Sequence, residues 1–431
     1  MRPHLLATAI ALCTAALALP AHADDSYAAN TLSGNWGGTR TRLHERGVDL
    51  TADYVGEWLH NTAGGTRHAS AYADQIHLGA AFDFARLWGW QGASLHVDVT
   101  NRNGHQLDQR AGLGTLLETH EIYGAGKVAR LTRLFLEQSL WDGLVDLKYG
   151  RMDLNTDFYS LSCDFENLSF CGSLPGYITQ GWYSWPVSQT GGVVRLHPAS
   201  AWYAKVGAFD VNANNALPSQ GLKLSAPGRS QGTLTIAEAG WDTSLDAGSH
   251  LLPGSWRIGA WRNSASYPDL LLDVNGQPQV LTGADALQRN HTSGTYALVT
   301  QQVTHNSAGG GLSLFGNLVD ADAHTDHTDQ MISAGLLYAA PFAGRPRDRI
   351  GLAVGRNRVS RRVTRAARLA NAAGLAPRPV PGSEYVTELN YQWQAAPGVT
   401  LMPSVQFVRH PGGDAQAGSA TVLGLRVAAA F

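Results

Sequence analysis

The chain has 431 residues, of which 44% are hydrophobic and 15% charged, with 48 glycines and a formal net charge of −2 at pH 7. Ordinary soluble domains carry about 25% charged residues, so this composition is unusual for a soluble protein. The nearly neutral charge excludes the class of proteins that bind nucleic acid through a strongly basic surface.

The start of the chain has the pattern of a secretory signal. Arg2 gives a positive start, Leu5–Leu19 an apolar run, and residues 21–23 a small-residue cleavage site before Asp24. An uncleaved membrane anchor is disfavoured, because the apolar run is shorter than the roughly 20 residues that span a bilayer. We therefore predict a signal peptide over residues 1–23 and an exported mature chain.

Two cysteines remain once the signal is removed. Cys13 leaves with the signal, and Cys163 and Cys171 stay in an exported chain. An even pair in an oxidising compartment predicts a disulfide. A zinc site is the alternative, and it lacks a second cysteine pair or paired histidines nearby. No metal and no cofactor is expected.

Residues 24–47 are predicted to be a polar leader followed by a short helix on the periplasmic side. Thr39 is a possible N-terminal cap of that helix, and Gly47 a C-terminal stop.

From Val48 onward, apolar and polar residues alternate almost without interruption. Successive side chains of a β-strand point to opposite faces, so each such segment predicts a strand with one apolar and one polar face. In the first segment the apolar face carries Leu50, Ala52, Tyr54 and Trp58, and the polar face Asp49, Thr51, Asp53 and Glu57. The sixteen predicted strands lie near residues 48–59, 73–84, 94–102, 132–139, 144–152, 181–197, 201–210, 232–242, 255–262, 293–304, 310–319, 330–339, 349–358, 384–394, 399–409 and 420–431.

The connections between these strands differ systematically in length. Short ones fall at 87–92 (a tight turn), 140–143, 198–200, 305–309 and 395–398, and long ones at 60–72, 103–131, 153–180, 211–231, 263–292 and 359–383. A soluble sandwich also alternates, but it has no reason to sort its connections this way. Single-chain bacterial barrels have even strand numbers, and only helices and closed barrels satisfy their backbone in lipid. We predict an all-β fold: a 16-stranded antiparallel transmembrane barrel over residues 48–431 in the Gram-negative outer membrane, with long connections outside the cell and partly folded into the lumen.

The last predicted strand ends on the aromatic Phe431. Bacterial outer-membrane barrels commonly end this way, and the closing strand then pairs with the first. We expect Phe431 to meet the barrel-assembly machinery, and outer-membrane lipid and lipopolysaccharide to surround the barrel. Both a monomer and a homotrimer remain open.

Several motifs are similar to those of a known family. They are Trp36-Gly37-Gly38-x-Arg40-x-x-Leu43-x-x-x-Gly47, Gly150-Arg151-Met152-Asp153-Leu154-Asn155-x-Asp157-Phe158, Phe170-Cys171-Gly172, Leu312-Ser313-Leu314-Phe315-Gly316, Gly344-Arg345-Pro346-x-Asp348 and Pro403-x-Val405-Gln406-Phe407-Val408-x-x-Pro411-Gly412-Gly413. Together they span nearly the whole mature chain, and the chain resembles the OprB-type carbohydrate-selective porins. The resemblance implies passive diffusion of mono- and oligosaccharides, glucose-type sugars among them, into the periplasm.

A sugar-selective pore needs donor and acceptor side chains at its narrow zone. Connection 153–180 is the first candidate to fold into the lumen, and connection 103–131 the second. The charged residues predicted to line the pore are Asp53, Glu57, Arg102, Glu137, Arg151, Asp153, Asp157, Glu238 and Glu388. For each, the alternative is a solvated lumen charge or a strut that bonds a connection to the wall. Trp182, with Tyr183, offers either a stacking face for sugars or a part of the membrane belt.

Two other functions stay open at this stage. One is a general or other small-solute porin of the same fold. The other is an outer-membrane enzyme, for which the inward-facing His77 and His96 lack an identifiable serine partner and no hydrolase motif occurs. In connection 359–383, Arg361, Arg362, Arg365 and Arg368 have near-helical spacing and contact either anionic lipid head groups or only water.

Overall fold

The computed structural model describes residues 30–224, 228–246, 250–375 and 377–431. The predicted signal peptide, residues 1–23, lies outside the described residues. Within the described part of the chain, no helix is both long enough and apolar enough to cross a membrane.

Sixteen antiparallel strands form one closed barrel, which confirms the predicted fold class. They are β1 Val48–Ala63, β2 Ser70–Asp83, β3 Ala93–Gly104, β4 Ala129–Leu140, β5 Val145–Met152, β6 Gln189–Ala199, β7 Trp202–Val211, β8 Gly232–Asp246, β9 Leu251–Asn263, β12 Thr292–Gln302, β13 Gly311–Ala321, β14 Thr328–Ala339, β15 Arg349–Val359, β16 Ser383–Ala396, β17 Val399–Arg409 and β18 Ala420–Ala430. A separate hairpin consists of β10 Tyr267–Asp273 and β11 Ala286–Arg289.

Each predicted strand overlaps an observed one, and the sheet closes between β1 and β18, where Asp53 pairs with Ala430. The alternation also holds, because Trp58 is 44% exposed on the outer face while its neighbour Glu57 is fully buried on the inner face. β6 begins at Gln189 rather than near residue 181, since the preceding residues still belong to a connection inside the lumen.

Short helices precede the first strand and occupy several connections. They are α1 Thr39–Glu45, α2 Phe84–Trp88, α3 Leu107–Ala111, α4 Leu174–Ile178, α5 Gln279–Thr282 and α6 Arg361–Ala372. One barrel end carries the connections 84–92, 141–144, 200–201 and 397–398, and we call it the short-turn end. The other carries 105–128, 153–188, 264–291 and 360–382, and we call it the long-connection end.

The helix α1 lies at the short-turn end, beside the seam where the barrel closes. Its N-cap is Gly38 in the left-handed conformation, so the prediction that Thr39 caps it is wrong. Thr39 is instead the first helical residue, and its hydroxyl accepts a hydrogen bond from Arg42 at 2.8 Å. Gly47 follows the helix with φ of +85°, where a Cβ atom would come within 2.8 Å of the Asp83 carbonyl oxygen. The predicted stop therefore requires glycine.

Candidate functional site

Connection 153–188 crosses the lumen and is hydrogen-bonded to two distant walls. On β16, the Glu388 carboxylate accepts the main-chain N–H groups of Glu166 at 2.9 Å and Asn167 at 2.8 Å. On β8, the Glu238 carboxylate accepts the main-chain N–H of Tyr159 at 3.0 Å. Buried carboxylates thus fix the path of this connection, which was the first candidate to fold inward.

The predicted disulfide joins Cys163 to Cys171 within the same connection. The isolated bridge between Leu161 and Gly172 closes the segment further. From the wall, the Arg426 guanidinium on β18 donates to the Cys163 carbonyl oxygen at 3.0 Å. The tip of the connection is therefore both cross-linked and attached to the barrel.

Connection 105–128 packs beside it. Its Leu116 N–H donates to Glu384 on β16 at 2.7 Å, and its Thr119 carbonyl oxygen accepts the side chain of Gln406 on β17 at 3.0 Å. The main-chain N–H of Leu168 donates to the carbonyl oxygen of Glu118 at 3.1 Å and joins the two connections. Together they narrow the lumen.

A cavity of about 640 Å³ remains between these two connections and the barrel wall. Its charged lining consists of Arg102, Arg133, Arg426, Glu118, Glu121 and Asp153. Its aromatic lining consists of Tyr123, Tyr177, Trp182, Tyr183 and Trp185. Cations, carboxylates and aromatic rings therefore border one space, which we call the lumen cavity.

The arginines of the lumen cavity are held in fixed positions. Arg426 forms an ion pair with Glu121 at 2.8 Å, and Arg133 one with Asp153 at 3.3 Å. Arg102 donates to the side-chain oxygen of Gln75 at 2.8 Å. Such charge-assisted contacts orient the remaining N–H groups without closing the cavity.

Trp185 is the aromatic side chain most closely tied to these charges. Its indole N–H donates to Gln75 at 3.0 Å, and the Arg133 guanidinium lies 4.9 Å from its ring centroid. The ring of His77 meets it edge-on at 5.2 Å. Trp185 thus presents an indole of fixed orientation beside the cationic side of the lumen cavity.

Glu118 lies in connection 105–128 and is a titratable group of the lumen cavity. Burial, and then the nearby Asp108 carboxylate, raise the pKa of Glu118 to about 7. Its charge therefore changes within the physiological pH range.

The residues predicted to line the pore are found in several places. Arg102, Asp153 and Trp182 border the lumen cavity. Trp182 is only 2% exposed and its ring packs edge-on against Trp261 at 5.4 Å, so it is almost fully buried and does not face lipid. Of the predicted aromatic pair, Tyr183 is the partly exposed member.

Three of the predicted carboxylates attach connection 153–188 to the barrel wall. Glu388 and Glu238 accept its main-chain N–H groups, and Glu238 also pairs with Lys205 at 2.8 Å. Asp157 pairs with Lys148 at 3.0 Å. These contacts correspond to the strut alternative stated above.

The other predicted residues lie outside the lining of the lumen cavity. Arg151 donates to Ser188 at 2.7 Å, Asp53 contacts His77 at 2.9 Å, and Glu137 lies 3.6 Å from Lys148. Glu57 is fully buried, and its carboxylate is 4.0 Å from Arg426. A pore-lining role for the predicted set stays a prediction.

Sequence reasoning missed Arg133, Arg426, Glu118, Glu121 and Trp185. Arg426 has the inward parity of β18 and could have been found by the alternation. Arg133 shares the parity of Glu137 on β4 and could have been found in the same way, because the β3–β4 register shifts only beyond it, between Asp98 and Val99. The rest lie in connections without periodic signal.

Known proteins resemble the chain over nearly its whole length. The sequence profile described as "Carbohydrate-selective porin, OprB family" matches residues 67–431. Porin B of Pseudomonas aeruginosa is 37% identical, over 98% of this chain and 96% of that protein. The putative porin QuiX of Acinetobacter baylyi is 31% identical, over 91% of each chain. A solved high-pH structure of Pseudomonas putida OprB superimposes with a TM-score of 0.90 at 35% identity, over 96% of this chain and 100% of that one.

Proposed function

This chain belongs to the OprB family of carbohydrate-selective porins, and from that premise we propose that sugars are distinguished from other small solutes at the lumen cavity. The protein is an outer-membrane porin for carbohydrates. The observation that carries the proposal is the meeting of fixed arginines, carboxylates and the Trp185 indole around one space.

A sugar ring has hydroxyl groups at its rim and C–H groups on its faces. The N–H groups of Arg102, Arg133 and Arg426 donate to hydroxyl oxygens, and the Glu121 and Asp153 carboxylates accept hydroxyl protons. The face of Trp185 provides a flat apolar surface for the C–H groups. Because each contact is weak, a sugar that binds here also leaves, which diffusion through a pore requires.

The proposal includes no chemical step. His77 is engaged at both ring nitrogens, by Asp53 at 2.9 Å and Asp98 at 2.7 Å, so neither nitrogen is available to activate a nucleophile. Ser94 Oγ lies 3.0 Å from His96 Nε2, so the prediction that His96 has no serine partner is wrong; the two residues are two apart on one strand face. Ester hydrolysis by the purified protein that is lost in Ser94→Ala would contradict this part of the proposal.

Swelling of liposomes that contain the protein tests the sugar preference. We expect glucose and a disaccharide to enter faster than an amino acid of similar size. Equal rates for all three solutes would favour a general small-solute porin of the same fold.

Replacement of Trp185 tests whether sugars are selected at the lumen cavity. Trp185→Ala removes the apolar face, and we expect the half-saturating glucose concentration in single-channel recordings to rise by about twofold to thirteenfold, given the roughly 0.5–1.5 kcal/mol of an aromatic contact. Trp185→Phe keeps a ring and should restore most of the affinity. The matched control is Trp241→Ala, because Trp241 is exposed on the outer face. Unchanged saturation in Trp185→Ala would place the selectivity elsewhere in the pore.

A further inference from the structure

The outer surface of β15, β16 and β17 changes from apolar to cationic towards the long-connection end. Val354, Thr387 and Phe407 are directly opposite one another in the register and face outwards. The next outward row consists of Arg356, Tyr385 and Arg409, again directly opposite one another. Two arginines therefore flank one tyrosine immediately above an apolar band.

The two arginines are close enough to share one ligand. Neighbouring strands lie about 4.8 Å apart, so the backbones at Arg356 and Arg409 are separated by roughly 10 Å. Their long side chains can lean towards each other over the Tyr385 ring, which is 45% exposed. An anionic group placed above this ring would meet a guanidinium on each side.

The structure leaves the positive charge of these two arginines without compensation. Within the described ranges, the Arg356 Nε donates only to the Ser383 hydroxyl, at 3.0 Å. Among the described residues, neither Arg356 nor Arg409 takes part in an ion pair, whereas Arg358 on the same face pairs with Asp329 at 2.6 Å. The row therefore has no anionic partner within the described part of the chain.

The helix α6 is a second arginine-rich segment at the long-connection end. It begins two residues after the end of β15, and Arg361, Arg365 and Arg368 recur at the spacing of one helix face. All three are exposed, Arg361 with 77% of its side-chain surface. Arg361 lies 3.8 Å from the Asp329 carboxylate and the helix packs against β10, so its charge is not counted with the row of Arg356, Tyr385 and Arg409.

We propose that Arg356, Tyr385 and Arg409 bind a phosphate of a phosphorylated glycolipid in the outer leaflet of the outer membrane. The apolar row below would contact the acyl chains, and the arginine row would then lie at the height of the head group. Tyrosine is enriched at that interface, and arginine binds phosphate through two parallel N–H groups. A free phosphate ion has no apolar part that could contact the apolar row, which is why we assign the site to a lipid.

A matched control exists on another wall. Arg262 on β9 also faces outwards at the long-connection end and is exposed, but its register neighbours are Thr235 and Ser293. It is a single cation between hydroxyl side chains, so it lacks the paired arrangement.

The test is equilibrium binding of lipid A by the full-length folded protein in detergent micelles. We expect wild-type protein to bind diphosphorylated lipid A at least about tenfold more tightly than dephosphorylated lipid A. Arg356→Gln/Arg409→Gln should abolish this preference, and Arg262→Gln should retain it. Single-channel conductance should be unchanged in every variant, because the replaced side chains face away from the lumen, and this confirms folding.

Three results would overturn the proposal. One is an undiminished preference for phosphorylated lipid A in the double variant. Another is an equal loss in Arg262→Gln, which would indicate general attraction to an anionic surface. The last is displacement of lipid A by millimolar inorganic phosphate, which would indicate a site for free phosphate. Should the double variant not fold, Arg409→Gln alone supplies the test, since that exposed side chain forms no ion pair within the described part of the chain.

Discussion

At the scale of single residues, the lumen carboxylates have two different tasks. Glu388 and Glu238 accept main-chain N–H groups and fix connection 153–188. Glu121 and Asp153 instead hold arginines at the lumen cavity. The same residue type therefore acts as a support in one place and as a lining group in another, according to which partner it meets.

Glu118 makes the charge of the lumen cavity dependent on pH. Its pKa of about 7 is raised by burial, so the side chain is neutral below that pH and negative above it. We expect the cation-to-anion permeability ratio, measured from reversal potentials, to fall by roughly twofold from pH 8.5 to pH 5.5. Glucose flux should change little, because glucose is neutral.

The variant Glu118→Gln is the control for this prediction. It should have the low permeability ratio at both pH values and a flatter pH profile. A wild-type pH profile in Glu118→Gln would assign the titration to another group.

Inward and outward residues could be predicted from the sequence, but their partners could not. Period-two alternation correctly placed Glu57 and Glu388 on the inner face. Whether such a carboxylate meets a main-chain N–H or an arginine depends on the path of connections 105–128 and 153–188, and that path follows from long-range contacts rather than local pattern.

At the scale of elements, the strands were predicted almost completely and the contents of the connections were not. A strand with one face in lipid and one in water carries a strong alternating signal. The hairpin β10–β11 was missed because β11 has only four residues, too few for a pattern to show. The arginine spacing that suggested a helix corresponds to α6.

The attachment of connection 153–188 to Glu388 determines how narrow the lumen is. Glu388→Ala leaves the buried N–H groups of Glu166 and Asn167 without their acceptor, at a cost of about 1–3 kcal/mol each. We expect the connection to loosen, and single-channel conductance and current noise to increase.

Glu57→Gln is the matched control for Glu388→Ala. Glu57 is also fully buried on the inner wall, but neither of its carboxylate oxygens has a hydrogen-bond partner among the described residues. The single-channel conductance of Glu57→Gln should therefore stay close to that of the wild type. Equal conductance in Glu388→Ala and wild type would show that other contacts suffice to hold the connection.

At the scale of the whole molecule, the barrel closes at a seam that the N-terminal helix supports. Arg40 on α1 is 5% exposed and donates to the main-chain oxygen of Phe431, as well as to Thr31 Oγ1 at 2.8 Å. Phe431 itself donates to the Ala52 carbonyl oxygen at 2.8 Å. That the assembly machinery recognises Phe431 stays a prediction, as does the choice between monomer and trimer.

Arg40→Ala tests the support of the seam. It removes several buried hydrogen bonds, and we expect the barrel to lose about 1–3 kcal/mol of stability. The temperature at which the folded band disappears in a heat-modifiability gel should fall accordingly. Arg42→Ala is the control, because the exposed Arg42 side chain donates only to Thr39 among the described residues. Equal behaviour of the two variants would show that α1 does not support the closed barrel.

Connection 153–188 is hydrogen-bonded to both β16 and β8, which lie six strands apart along the closed sheet. A hollow tube without an internal member flattens easily under a sideways load, because flattening bends the sheet without stretching its hydrogen bonds. A segment fixed to two walls resists this flattening, because the load must then stretch or compress the segment. Changes in lateral membrane pressure should therefore alter the open cross-section of this barrel very little.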